Sequence, residues 1–203
     1  MRFAALFLSV ALMFGSISKK VVVIDAGHGG WDPGKVGINN AEEAAINLQI
    51  AEYLQMYLQL GGAMAFLTRA DDIALADRKN ADLAARSAMP TDLLADIFIS
   101  IHQNAFNSPD VKGAQVFYYE GSDEGARLAE AIQDSLAANL SNSGKKPKGG
   151  TSYYLLENSK TPAIIIECGF LTNHDEAQKL TTSEYQQQVA WAIYIGLMNY
   201  FSA

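Results

Sequence analysis

The chain has 203 residues, 49% of them apolar and 18% charged, with a net charge of −7. That length supports one domain with a full core, and the acidic balance excludes a duplex nucleic-acid partner, whose phosphates need a basic face. A single cysteine, Cys168, excludes an internal disulfide and a cysteine-based metal knuckle, so any metal must be held by histidine and carboxylate.

Residues 1–18 carry Arg2, an apolar run from Phe3 to Phe14, and the small residues Ser16 and Ser18. This pattern reads as a secretory signal peptide or N-terminal hydrophobic leader, with residues 19–203 as a single domain. The run is shorter than the roughly 20 residues of a comfortable membrane span. An uncleaved anchor and a packed helix are the rival readings. A strand starting at Val21 leaves hardly any linker to hold a domain off a membrane.

Val21-Val22-Val23-Ile24-Asp25 is the first of three β-branched runs that read as strands buried on both faces. It leads into Gly27-His28-Gly29-Gly30 and a Gly/Pro-rich loop. Residues 41–60 place Ile46, Ile50, Tyr53, Leu54, Tyr57 and Leu58 at helical spacing, and Gly61-Gly62 ends that helix. Residues 63–68 read as a strand closing on Arg69. Residues 72–89 read as a helix stopped by Pro90. The second buried strand, Ile97-Phe98-Ile99-Ser100-Ile101, leads to His102.

Residues 113–119 read as a strand, and Ser122 or Asp123 caps a helix to about Leu140. The loop at 141–150 holds Lys145, Lys146 and Lys148, read as a solvated turn, with a substrate-carboxylate anchor as the functional alternative. Residues 152–156 read as a short strand. The third buried strand, Ala163-Ile164-Ile165-Ile166, leads to Glu167, and Ser183 caps a final helix. Alternation of this kind predicts a three-layer α/β fold: a twisted, mostly parallel mixed sheet with helices on both faces.

In such sheets ligands bind at the carboxyl ends of the strands. His28, His102 and Glu167 are therefore expected at one edge. Zinc hydrolases use three ligands from histidine and carboxylate and leave one position for water. The third ligand is Glu42 or Glu43, which open the first helix, and spacing alone does not choose between them. Glu167, at the end of an apolar strand, is expected to have its pKa raised by desolvation and to serve as general base and acid. Its plain alternative is an ion pair with Arg69 or Arg86. Cys168 should point into the core, because side chains alternate along a strand. His174 reads as a surface residue at a helix start. Asp25 and Asp32 are candidates to orient an imidazole N–H.

Four blocks in order resemble the zinc-dependent N-acetylmuramoyl-L-alanine amidases of bacterial cell walls. They are VVIDAGHGGWDPGKVG at 22–37; Glu43 with Leu48; Leu67-Thr68-Arg69 with Asp72, then Ser100-Ile101-His102-Gln103-Asn104-Ala105; and Ile166-Glu167-Cys168-Gly169-Phe170 through Asn173. The resemblance implies one zinc ion held by His28, Glu43 and His102, with Glu167 catalytic, and it selects Glu43 over Glu42 by its distance to Leu48. Ala44 stands where the family often has lysine.

Residues 113–119 and the absence of wall-binding repeats look most like the spore-cortex subgroup. The stretch 110–163 leaves no room for an autoinhibitory helix, so an open site is expected. The resemblance implies a peptidoglycan substrate, action outside the cytoplasm in the wall or the intermembrane space of a forming spore, and a protein activator as a candidate partner. The leader offers transient membrane association. The alternatives are a zinc carboxypeptidase, which needs an arginine for the substrate's terminal carboxylate, and a non-catalytic wall-binding module.

Overall fold

The computed structural model of the chain describes residues 16–140 and 144–203. Residues 1–15, which hold most of the expected leader, lie outside the described residues. Six strands form one sheet: β1 (Val21–Ala26), β2 (Met64–Leu67), β3 (Ile97–Asn104), β4 (Gln115–Tyr119), β5 (Lys148–Gly150) and β6 (Ala163–Phe170). Their order is β2-β1-β3-β6-β4-β5. The β1–β2, β1–β3 and β3–β6 pairs are parallel, and β4 runs antiparallel to β6. The mostly parallel mixed sheet is the one expected.

Alternate strand residues serve two cores. Val22, Ile24, Ile99, Ile101, Ile164 and Ile166 face one side. Helices α1 (Glu43–Leu60), α3 (Asp123–Leu140) and α6 (Ser183–Ser202) cover it, through Ile50 and Leu54, Leu128 and Ile132, and Val189 and Ile193. Val23, Phe98 and Ile165 face the other side, covered by the shorter helices α2 (Lys79–Asp92) and α4 (Tyr154–Asn158). A seven-residue helix, α5 (His174–Leu180), follows β6. Ile17, inside the expected leader boundary, is fully buried in the larger core.

Four elements differ from expectation, the first being the stretch 141–150, read as a loop, whose Lys148–Gly150 is the strand β5. Helix α2 starts at Lys79, seven residues after the expected start, because residues 70–78 form a loop tied down by side chains: Asp72 accepts from the Gly30 amide and Asp82 from the Leu75 amide. It also runs through Pro90 to Asp92. Residues 152–156 are not a strand. Lys148–Gly150 supplies the edge strand, and the chain then turns into α4. A strand would send Leu155 and Leu156 to opposite faces, whereas one helical turn buries both in the smaller core. The final helix is capped by Thr182, whose hydroxyl accepts from the Tyr185 amide, rather than by Ser183.

Candidate active site

Strand parity decides what reaches the carboxyl edge. Asp25, Ser100, His102 and Glu167 share the side of Val23, Phe98 and Ile165, facing α2 and α4. His102 and Glu167 are register partners on adjacent parallel strands, so their side chains stand next to each other. The β3–β6 register shifts just beyond them, between His102 and Asn104, an irregularity of the kind that re-aims side chains beside active sites.

His28 follows β1 in a left-handed conformation, φ 63°. Asp32 Oδ2 lies 2.9 Å from its Nδ1 and so fixes the ring, which leaves Nε2 facing Glu43 Oε2 at 3.3 Å. Glu43 stands in the first turn of α1 and is 4% exposed, while Glu42 is exposed, which separates the two acids that spacing left open. Glu43 Oε1 lies 2.9 Å from His102 Nδ1 and accepts from the Gln103 amide; Oε2 accepts from the Lys35 amide. The imidazoles pack edge to face, with centroids 4.9 Å apart. One ligand atom each from His28, Glu43 and His102 falls within 4.8 Å of the others, so the group could hold a metal ion.

Room for the His102 ring comes from Gly27, where a Cβ would lie 2.3 Å from the imidazole. Burial disfavours protonation of His28, but the Glu43 and Asp32 carboxylates outweigh it and push its pKa up to about 9. Burial alone would raise the Glu43 carboxyl, yet the two imidazoles hold it well below the usual carboxylate range. The opposite happens at Glu167. Burial lifts its pKa to about 7, the His102 charge pulls it back, and Glu43 pushes it further up. Its Oε2 is shielded from solvent and has no hydrogen-bond partner among the described residues. Neither Arg69 nor Arg86 pairs with it: Arg86 pairs with Asp25 and Asp82.

Asp25 does not orient an imidazole. Its carboxylate accepts from Thr68 Oγ1, Ser100 Oγ and Arg86 Nη1, and Asp32 alone takes the expected role. Cys168 is core, and burial pushes its thiol pKa up, away from nucleophilic use. His174 is exposed at the start of α5. Asn47 was not singled out from sequence. Fully buried one turn along α1 from Glu43, it donates to Gly27 O and accepts from Gln103 Nε2. A polar residue on the apolar stripe of Ile46, Ile50 and Leu54 was the available signal.

A cavity of about 330 Å³ opens beside His28 and His102, bounded by Leu83, Tyr153 and Ile165. Arg86 also lines it, but all five guanidinium N–H groups are committed: Nε and Nη2 to Asp82, Nη1 to Asp25 and Ala26 O, and Nη2 to His28 O. None is left to hold a terminal carboxylate as a carboxypeptidase would require. The donor set suits zinc: two imidazoles and one carboxylate, an orienting carboxylate on one imidazole, and an unpaired carboxylate alongside.

A family model described as N-acetylmuramoyl-L-alanine amidase matches residues 22–199. A germination-specific N-acetylmuramoyl-L-alanine amidase of Bacillus subtilis (strain 168) is 39% identical over 194 residues, covering 92% of this chain and 81% of the relative. The N-acetylmuramoyl-L-alanine amidase LytC of the same organism is 34% identical, covering 90% of this chain and 36% of that protein. Among solved structures, the CwlD amidase from Clostridioides difficile, in complex with the GerS lipoprotein, superposes with a TM-score of 0.86 at 35% identity, covering 91% of this chain and 99% of that chain.

Proposed function

The chain belongs to the N-acetylmuramoyl-L-alanine amidase family, and from that premise we propose that it cleaves the muramoyl–L-alanine amide of peptidoglycan with one zinc ion held by His28, Glu43 and His102. The observation that carries this reading is the unpaired Glu167 carboxylate standing beside His102, next to a group that could bind a metal. Zinc held there would supply Lewis acidity, which activates water as a nucleophile and polarises the scissile carbonyl. Glu167 takes a proton from the attacking water and returns it to the amide nitrogen, which leaves as the free amino terminus of L-alanine. In the metal-free protein burial raises the Glu167 carboxyl above the usual carboxylate range, the direction that favours a group able both to take up and to release a proton. Asp32 keeps His28 in the tautomer that presents Nε2.

The substrate we favour is cortex-type peptidoglycan, supported by the likeness to the germination-specific relative. Action outside the cytoplasm follows from a cell-wall substrate, with export through the leader. No helix among the described residues is long and apolar enough to cross a membrane. A protein activator is proposed because the CwlD neighbour was solved with the GerS lipoprotein.

The test uses purified protein, zinc, and both vegetative and cortex-type peptidoglycan. We expect new L-alanine amino termini, and a loss of about 10²- to 10⁴-fold in Glu167→Gln with zinc content unchanged. Release of no L-alanine terminus from either material, with zinc bound and candidate activators present, overturns the reading.

A further inference from the structure

Arg69 is buried, 2% exposed, and makes no ion pair within 4.0 Å among the described residues. Its guanidinium is committed instead to backbone carbonyls. Nε donates to Ala26 O at 2.9 Å and Nη1 to Asp71 O at 3.0 Å. Nη2 donates to two carbonyls at once, Gly27 O at 3.1 Å and Ala44 O at 2.8 Å. Gly27 immediately precedes His28, and Ala44 immediately follows Glu43. We propose that Arg69 is a positioning residue that sets the spacing of the metal ligands His28 and Glu43 by gripping the peptide groups beside each.

The chain needs such a grip at this point. His28, Gly29 and Gly30 all have positive φ, in a sequence with two glycines and wide backbone freedom. Nothing in Gly-His-Gly-Gly itself selects the one conformation that aims His28 Nε2 at Glu43. Arg69 packs against the loop: a Cβ on Gly29 would lie 2.5 Å from Ile73 O and 2.8 Å from Arg69 Nε, so the loop lies against both. Arg86 also holds this segment, through His28 O. The two ligands come from separate segments, a loop after β1 and the first turn of α1. Arg69 Nη2 bonds both segments from a single nitrogen. Lysine keeps the charge but lacks the planar fork, so it cannot reproduce several divergent bonds from fixed positions.

The inference rests on the reading of His28 and Glu43 as zinc ligands. Its test is zinc affinity, measured by chelator competition on the metal-free, full-length protein, for wild type, Arg69→Lys and Arg69→Gln. Circular dichroism fixes the folded fraction of each. We expect both variants to fold without metal and to lose about 10- to 100-fold in zinc affinity. Ile132→Val, far from the site in the α3 core, serves as a destabilised control and should keep wild-type affinity.

Zinc binding by folded Arg69→Lys and Arg69→Gln within twofold of wild type overturns the proposal. So does an equal loss in Ile132→Val, which makes the effect one of stability alone. A folded fraction below one half for both Arg69 variants also overturns it, since Arg69 is then a requirement of the whole fold. If wild type binds no zinc in the same titration, the ligand reading has failed instead.

Discussion

At the residue scale, the proton on His28 competes with the metal. The folded protein raises this imidazole from 6.5 to about 9, because the Glu43 and Asp32 carboxylates outweigh burial. In the metal-free protein that pairing adds stability fully present below about pH 6.5 and lost as pH rises through about 9. A metal needs the neutral ring, so binding must expel the proton. Apparent zinc affinity should therefore climb at least about tenfold per pH unit between pH 6.5 and 9 and level off above. Calorimetry in buffers of different ionisation enthalpy counts the proton released; a flat affinity across that range contradicts the assignment. His28, His102 and Glu167 were legible because each stands at the end of an apolar run or just after it. Asn47 and the partners of Asp25 were not, because their contacts join residues from 20 to 75 positions apart.

At the element scale, local pattern located the strands well and failed where a neighbour decided. Residues 152–156 have strand-like composition, but the edge of β4 is already paired by Lys148–Gly150, and a helical turn buries Leu155 and Leu156 together. Helix α2 starts late because Asp72 and Asp82 bond backbone amides of the preceding loops. The first described segment tests how far the core extends toward the N-terminus. Ile17 is fully buried, beside Gly61 at the end of α1. Ile17→Ala should cost about 2–5 kcal/mol, read from the urea midpoint, as expected for a large core side chain. A change under about 0.5 kcal/mol would mean that the domain does not use this residue.

At the scale of the whole molecule, the candidate centre ties together three separate parts of the chain: the loop after β1, the start of α1 and the end of β3. A ligand that binds only the folded state stabilises all of it. Zinc at about 1,000 times its dissociation constant should add roughly 4 kcal/mol, raising the melting temperature by about 10 °C for a chain of this size. Calorimetry with and without a chelator measures the difference, and a shift below about 2 °C speaks against a single shared metal. The sequence by itself determined the three-layer class, the buried strands and the residue types at their ends, because periodicity and burial are local properties that each segment carries alone. It left open Glu42 or Glu43, and the resemblance to a known family implies Glu43. Only the tertiary structure decided that Glu43 turns inward while Glu42 stays in solvent, that Arg86 is occupied and Glu167 unpaired, and that Arg69 reaches the peptide groups flanking two ligands. Those outcomes depend on which distant groups meet, and distance along a chain does not encode distance through a packed interior.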